Sequence, residues 1–560
     1  VNDEVVDTTK NINFNHLIAR DRVDHIIAKA EHYGHSGDRV KGLVFCSRKD
    51  EARALSAAFN ERGYRTEALS GDDPQDKREA IVERLITDQG ENQLDYIFSV
   101  DIFNEGIDIP AVNQIIMLRP TESPIVFVQQ LGRGLRKSKQ KEFVVILDFI
   151  GNYTNNFMIP MALSGDKSYN KDTLRRYVEE GNRVIPGCST IYFDKIAKER
   201  IYKSIDTANF TNAKIIKEAY FDLKNRLGCI PSLSDFDEYG SIDVRLMFAS
   251  KVYGSYHVFK KKVEKDYHVI FTKEQENVLD FISRKLASGK RPHELLVIKE
   301  LMRGTRNPIN HVLAMVSHEF GLLVQDKTYS NLVNVLTNQF ASGSSKNTYK
   351  DCVFIEQING VYEISSSFAS MLENEEFKYQ VEEVVNFGLY QYEKTYKNHY
   401  KDSPFTLYEK YDYEDVCRLL EWAHNEVPLN IGGYKYHKET NTYPVFINYE
   451  KEEDISDTIN YEDKFLSPTL LQAISKGKRT IQSDDVQAAI HADERNIIMD
   501  LFVRKNKDDK GAKEFYYLGR IHHTGQPVEF TMTKESTAVE LQYQLETPVR
   551  ADIYDYIVNC

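Results

Sequence analysis

Two arginines, Arg133 and Arg136, lie three residues apart in the segment Gln129–Arg136. Near the start of a helix, side chains with this spacing reach the same side and present fixed positive charge to one anion. Such a pair suits a phosphoryl group whose negative charge must be stabilised during transfer. The segment has the form Q-x-x-G-R-x-x-R, and an exposed basic helix end is its alternative interpretation. The candidate catalytic residues are Arg136, Arg133 and Gln129.

A second polar segment precedes the arginines and makes the first one more specific. Residues Asn104–Pro110 have the sequence N-E-G-I-D-I-P and end about twenty positions before Gln129. The segment places two carboxylates, Glu105 and Asp108, beside Gly106. For Asp108, the alternative role is the capping of a turn.

Short apolar runs alternate with helical periods through the first 150 residues. We predict strands at Leu43–Ser47, Tyr64–Leu69, Leu94–Val100, Gln114–Leu118 and Phe143–Phe149, and helices at Lys49–Arg62 and Lys77–Leu85. This alternation is typical of a parallel sheet that is covered on both faces. The two arginines then follow the fourth strand of that sheet.

Together the two segments resemble motifs V and VI of superfamily 2 helicases and translocases. The resemblance implies that residues 1–165 form the second RecA-like helicase lobe, an α/β domain with motifs IV, V and VI. It makes Arg136 the arginine finger, and it gives Gln129 the role of positioning water or the γ-phosphate. It also implies ATP-contacting residues in motif V and nucleic-acid-contacting residues after the first two strands: Glu105, Gly106, Asp108, Ser47, Arg48, Ser70 and Gly71.

Half of a helicase ATP site has no counterpart in this sequence. The sequence contains neither G-x-x-x-x-G-K-[ST] nor a convincing acidic box for Mg²⁺. It also begins at Val1 rather than at a methionine. We therefore expect the C-terminal part of a larger protein, in which a missing N-terminal motor lobe holds most of the ATP and Mg²⁺. The fragment alone is expected to be inactive.

Length and composition indicate an intracellular protein of several domains. The 560 residues carry a net charge of −13 and six cysteines without a C-x-x-C pair, which argues against disulfides or a metal site. Basic residues cluster at 133–141 and 260–265, where a solvated face is the alternative interpretation. No apolar run approaches ~18 residues, so we expect a cytoplasmic protein without a membrane span.

Helical sequence follows the lobe. Residues 166–285 predict an α-helical accessory domain, and 376–425 predict a helical connector. Between them, 286–375 predict three helices and a hairpin turn at Asn359–Gly360, which together make a winged-helix-like domain. Its third helix, Tyr329–Phe340, could enter a DNA groove. A structural or protein-binding module is the equal alternative.

The last part of the chain, 426–560, is β-rich and predicts an antiparallel barrel or sandwich that binds DNA. Strands are expected at 443–449, 497–504, 514–521, 528–533 and 538–545. Between the first two, a loop carries basic residues beside aromatic ones, which suits phosphate and base contacts. The alternative is an ordinary folded surface. The candidate nucleic-acid residues are Lys476, Lys478, Arg479, Tyr461 and Phe465.

The whole arrangement resembles a bacterial group of DEAD/DEAH-like helicases. That group has a phospholipase-D-like N-terminal domain, a two-lobed motor and a C-terminal domain of unknown function. The resemblance rests on motifs V and VI and on the segments 446–451, 461–468 and 501–521. It implies a restriction, phage-defence or DNA-repair motor whose partner is double-stranded DNA. The alternatives are a non-catalytic DNA-binding or specificity fragment and a partner-docking scaffold.

Overall fold

The chain folds into two compact units, one of residues up to Ala208 and one of Asn209–Asn559. The computed structural model describes residues 19–89, 92–100, 109–120, 123–132, 135–138, 141–151, 155–181, 189–319, 322, 324, 327–426, 428–450, 463–506, 513–531 and 536–559. Within these ranges, no helix combines the length and the apolar character needed to cross a membrane.

The first unit contains a five-stranded parallel sheet. Its strands are β1 (Gly42–Phe45), β2 (Thr66–Leu69), β3 (Tyr96–Ser99), β4 (Gln114–Met117) and β5 (Val145–Asp148). They pair in the order β2-β3-β1-β4-β5, and every pair is parallel. The five strands and the α/β lobe predicted from the apolar runs are confirmed.

Helices cover both faces of this sheet because alternate strand residues point to opposite sides. The helices of the unit are α1 (Arg20–Tyr33), α2 (Lys49–Asn60), α3 (Gln75–Ile86), α4 (Pro124–Gly132), α5 (Met158–Ser164), α6 (Lys171–Glu180) and α7 (Lys195–Thr207). Leu43 and Phe45 of β1 belong to one core, together with residues of α3, α4 and α5. Val44 belongs to the other core, together with residues of α1 and α2.

The second unit begins with helices, as the sequence predicts. They are α8 (Ala213–Leu227), α9 (Asp235–Glu238), α10 (Val244–Ala249), α11 (Tyr256–Val263), α12 (Lys273–Phe281), α13 (His293–Met302), α14 (Pro308–Glu319), α15 (Thr328–Leu336), α16 (Gly343–Thr348), α17 (Ser366–Met371) and α18 (Glu375–Gln391). Two of them continue into π-helical turns, α12 at Ile282–Leu286 and α18 at Tyr392–Tyr396.

Three helices and a hairpin occupy the predicted winged-helix-like region. The helices are α13, α14 and α15, and β6 (Ile355–Ile358) pairs antiparallel with β7 (Val361–Ile364) across the Asn359–Gly360 turn. Both turn residues have positive φ, as a type I′ turn requires. The elements lie where they were predicted, and their identity as a winged helix stays a prediction.

The third helix is largely buried in the second unit. Six of the nine residues of α15 are buried. Asn331 donates a hydrogen bond to the carbonyl of Trp422, and Asn334 donates one to Ala423. These contacts hold the neighbouring segment and disfavour groove entry by this helix, which stays a prediction.

The C-terminal region is one open, curled sheet of seven strands. They are β8 (Lys410–Tyr411), β9 (Thr442–Glu450), β10 (Lys464–Ser467), β11 (Leu470–Ile474), β12 (Ile498–Asn506), β13 (Phe515–Thr531) and β14 (Thr537–Leu545). The pairing order is β10-β11-β14-β13-β12-β9, with β8 on β13. Four short helices, α19 (Tyr413–Leu419), α20 (Pro428–Ile431), α21 (Asp484–Ile490) and α22 (Ala551–Tyr554), accompany it.

This sheet corrects the predicted antiparallel barrel or sandwich. β9 and β12 pair in parallel, so the sheet is mixed. Among the described strands, pairing runs from β10 to β9 without closing. The strands predicted separately at 514–521 and 528–533 are one long strand, β13, whose register with β14 shifts between Thr524 and Val528. The β-rich composition of the region is confirmed.

Gly289 allows two segments of the second unit to approach closely. Its φ is +77°, and a Cβ atom there would lie 2.5 Å from the Gly388 carbonyl oxygen and 2.5 Å from the Tyr392 backbone nitrogen. Gly304 offers a matched comparison, because its φ is +76° and a Cβ would meet nothing within 4 Å. An alanine at either position would cost backbone strain, but only at Gly289 would it also cost steric overlap.

We predict that Gly289→Ala destabilises the second unit more than Gly304→Ala does. Both variants incur the ~1–2 kcal/mol of a side chain at positive φ, and overlap adds about 1–3 kcal/mol at Gly289 alone. The measurement is urea unfolding followed by fluorescence of Trp422, the chain's one tryptophan, which lies in this unit. Equal unfolding free energies for the two variants would contradict the close approach.

Candidate functional site

Helix α4 presents Gln129 at the surface because the opposite side of the helix is anchored in the core. Phe127 and Leu131, four residues apart, are buried against the apolar side chains of the sheet and of α3. Gln130 is also buried, at 1% exposure, whereas Gln129 is exposed. The spacing therefore fixes which of the two adjacent glutamines faces solvent.

Arg136 lies four residues beyond the end of α4 and is exposed. The backbone N–H of Leu135 donates to the carbonyl of Gly132 at 3.3 Å. Val128 and Leu135 are 49% and 59% exposed, so aliphatic side chains accompany the polar ones here. Arg133 and the motif V residues Glu105, Gly106 and Asp108 lie outside the described residues.

Lys141 belongs to the basic cluster predicted at 133–141, but its ammonium binds backbone carbonyl groups. Its ammonium donates to the carbonyl oxygens of Pro110 and Val112 at 2.5 and 3.0 Å. The charge therefore fastens the segment before β5 to the segment before β4. Lys137, by contrast, is exposed.

The loop after β1 is held by a buried carboxylate that the sequence reading missed. Glu51 Oε2 accepts from the Ser47 backbone N–H at 2.9 Å, and its Oε1 accepts from Arg22 at 3.1 Å. Burial raises the pKa of Glu51, and the Arg22 charge opposes that rise. A glutamate three residues into α2 was the available signal, because that position reaches back to the helix start.

Ser47 and Arg48 follow β1, and Ser70 and Gly71 follow β2. Ser47 Oγ has no hydrogen-bond partner within the part of the chain that the structure describes. Arg48 donates twice to Asp50, at 3.1 and 2.8 Å. Ser70 donates to Asp73 through both its backbone N–H and its hydroxyl, at 2.8 and 3.2 Å.

These two loops lie at one edge of the sheet. β3 pairs in parallel with both β1 and β2, so the loops flank its carboxyl end. The Gly71 carbonyl accepts from Arg78 of α3 at 2.7 Å, which orients the second loop. The four residues predicted to contact nucleic acid therefore come from two neighbouring loops of one edge.

The predicted C-terminal site is only partly a basic surface. Lys476 is half-buried, with its ammonium 4.7 Å from the centroid of the Tyr434 ring, and burial lowers its pKa. Arg479 donates to Asp485 at 2.7 Å. Lys478 is exposed and has a φ of +63°. Of these three cations, Lys478 is the one most accessible to a ligand.

The two aromatic candidates of this site have different outcomes. Tyr461 lies outside the described residues. Phe465 is in β10, 7% exposed, and its ring stacks on Tyr449 at 5.9 Å and meets Tyr554 edge-on at 5.8 Å. The predicted base-stacking role of Phe465 is wrong, because its segment forms a strand rather than the predicted loop and buries the side chain in the core.

Comparison with known proteins gives family matches to three parts of the chain. Residues 21–138 match the helicase conserved C-terminal domain. Residues 216–397 and 405–557 match two domains of unknown function, DUF8090 and DUF3427. The structure described above thus divides into a lobe of recognised family and a second unit whose families have no assigned function.

Two curated relatives each match about a fifth of the chain. A putative ATP-dependent helicase, IRC3, of Saccharomyces cerevisiae is 31% identical over 22% of this chain and 18% of its own length. A putative mitochondrial ATP-dependent helicase, irc3, of Schizosaccharomyces pombe is 31% identical over 20% of this chain and 18% of its own length. The chain thus spans less than a fifth of these relatives.

Among solved structures, the Escherichia coli DEAD-box protein SrmB bound to RraA is 18% identical. It matches 26% of this chain and 79% of that chain, with a TM-score of 0.21. The assignment of the lobe therefore rests on the family match and the curated relatives.

We predict that Phe465→Ala lowers the free energy of unfolding by about 3–5 kcal/mol, the usual cost of removing a buried phenylalanine. Leu466→Ala, one residue along the strand and 44% exposed at the wild-type side chain, is the control. Its effect should stay within about 0.5 kcal/mol. Urea unfolding followed by Trp422 fluorescence measures both variants. A stable Phe465→Ala protein with weakened nucleic-acid binding would restore the stacking role.

Proposed function

We propose that this chain, whose residues 21–138 form a superfamily 2 helicase C-terminal domain, supplies the second lobe of an ATP-dependent DNA motor. One observation carries the proposal. α4 is anchored in the core by Phe127 and Leu131, while Gln129 and Arg136 are exposed beyond them. The anchored helix thus positions Gln129 at the surface, as contact with a phosphate requires.

The exposed residues fit the phosphate end of a nucleotide. In this account Arg136 neutralises charge on the γ-phosphate, Arg133 assists it, and Gln129 positions the attacking water. Glu105, Gly106 and Asp108 would contact ATP from the segment after β3. Bound ATP supplies the phosphoryl group, and its Mg²⁺ requires ligands from a first lobe, since the sequence has no phosphate loop. The chain alone is therefore proposed to be inactive.

The edge of the sheet supplies the proposed nucleic-acid contacts. Ser47 and Ser70 offer hydroxyls, and Gly71 and the Arg48 backbone offer close approach to phosphates. Such contacts position a strand without reading its sequence. Lys478, with weaker support from Lys476 and Arg479, would add a contact from the C-terminal sheet. Tyr461 stays a candidate for a base contact.

The G-R-G-L-R form of residues 132–136 supports DNA as the track. It resembles type I and type III restriction motors more than RNA-remodelling DEAD-box proteins. We therefore propose double-stranded DNA as the partner and restriction, phage defence or DNA repair as the setting. The alternative is a partner-docking scaffold, and the exposed Val128 and Leu135 favour docking of some kind. In the proposed motor, those side chains face the first lobe.

The test is Arg136→Ala in a protein that combines this chain with its first motor lobe. Arginine fingers contribute ~10³–10⁵ to the rate of phosphoryl transfer, so DNA-stimulated ATP hydrolysis should fall by at least about a thousandfold while DNA affinity stays unchanged. Lys137→Ala removes an equal charge from the adjacent exposed residue and should leave hydrolysis near the wild-type rate. An Arg136→Ala enzyme that keeps more than about a tenth of its activity excludes the finger.

A further inference from the structure

Four exposed lysines lie on segments that hydrogen bonds join within the second unit, in the helical region that has no assigned function. Lys214 and Lys217 are in the first turns of α8, Lys251 is in the turn after α10, and Lys262 is in α11. We call these four residues the lysine patch. They are far apart in the sequence, so no run of basic residues marks the patch.

Hydrogen bonds around Tyr253 assemble the patch. The Tyr253 hydroxyl donates to the Ala213 carbonyl at 3.3 Å, which joins the turn after α10 to the first residue of α8. The Lys262 ammonium donates to the Val252 carbonyl at 2.7 Å and lies 6.0 Å from the Tyr253 ring. Lys217 lies four residues after Ala213 and therefore on the same side of the helix.

The turn that carries Lys251 is fixed on its inner side. Arg284 donates to the Ser250 carbonyl at 2.8 Å and to Asp280 at 2.9 Å. Gly254 has a φ of +77°, and a Cβ there would lie 2.1 Å from Asp280 Oδ1. The positive φ favours glycine at this position. The hydrogen bonds of Arg284 thus hold the turn that carries Lys251.

The charges of the patch are largely uncompensated. Lys214 lies 3.8 Å from Glu218. Within the described ranges, Lys217, Lys251 and Lys262 form no salt bridge. Neighbouring lysines differ: Lys261 pairs with Glu276 at 2.9 Å, and Lys260 is buried 4.5 Å from the Tyr256 ring centroid. The basic run at 260–265 therefore gives this surface Lys262, while Lys260 serves the core.

We propose that the lysine patch binds the phosphate backbone of the nucleic acid on which the motor acts. The proposal rests on the proposed function and adds a nucleic-acid contact from the second unit. A chain with a net charge of −13 repels polyanions except where cations gather locally. Lysine ammonium groups act on phosphates as point charges. The contact should therefore be independent of base sequence.

The end of α8 adds to the attraction. α8 is 15 residues long, and its N-terminus carries partial positive charge beside Lys214. Tyr253 is buried at 7% exposure and unavailable for base stacking. The half-buried Phe221 ring lies 5.9 Å from the Lys217 ammonium. The four ammonium groups suit backbone phosphates.

The experiment uses the full chain and compares two triple variants that lose the same charge. One variant is Lys217→Ala, Lys251→Ala and Lys262→Ala. The control is Lys346→Ala, Lys350→Ala and Lys464→Ala, three exposed lysines elsewhere in the same unit. Anisotropy of a labelled duplex and of a labelled single strand gives the dissociation constant between 50 and 200 mM NaCl, the range over which phosphate contacts dominate salt dependence.

Each lost phosphate contact should lower the slope of log affinity against log salt by ~0.9 on duplex DNA and ~0.7 on a single strand. The patch variant should therefore show a slope that is shallower by about 2–3 on a duplex, and the control should keep the wild-type slope. Lys251→Glu should weaken binding more than Lys350→Glu, which provides a second comparison if a triple variant unfolds.

Equal slopes for the patch variant and its control overturn the inference while leaving the proposed function intact. Absence of binding by the unmutated, folded chain to either DNA at 50 mM NaCl overturns the inference and also counts against DNA as the partner. Loss of ATP hydrolysis in Arg136→Ala is measured separately and does not depend on the patch.

Discussion

The candidate site depends on the burial of Phe127 and Leu131, two side chains of α4. Both side chains belong to the core on one face of the parallel sheet. Their removal from water stabilises one rotation of the helix about its own axis. That rotation places Gln129 outside and Gln130 inside. Arg136 lies four residues after the end of this helix, and the core packing fixes where the helix lies.

The second unit depends on a different interaction, a network of buried ion pairs. Lys290, in the 216–397 match, contacts both Asp415 and Glu514, in the 405–557 match, at 2.5 Å each. Arg291 and Arg418 surround the buried carboxylate of Glu294. Burial alone would raise the pKa of Glu294, but the two arginines lower it to about 2. These ion pairs join the two domains of unknown function within one compact unit. Removal of one partner of a buried ion pair typically costs ~3–5 kcal/mol.

The sequence predicted those elements whose signal is local. Parallel strands buried on both faces are continuous apolar runs, so all five strands of the lobe were found, and an Asn-Gly pair located the hairpin β6–β7. Long-range pairing was not predictable. Nothing in residues 442–450 and 498–506 indicates that β9 and β12 pair in parallel. The environment of single side chains was not predictable either, because the burial of Phe465 and the carbonyl contacts of Lys141 arise from tertiary packing.

We propose that this chain provides one half of a nucleotide site and of a nucleic-acid track. The rate of ATP hydrolysis by the chain alone and by the chain joined to its first motor lobe, each with and without duplex DNA, tests this proposal most directly. We expect no turnover by the chain alone and DNA-stimulated hydrolysis by the joined protein. Turnover by the chain alone, or hydrolysis by the joined protein that DNA leaves unchanged, would contradict it.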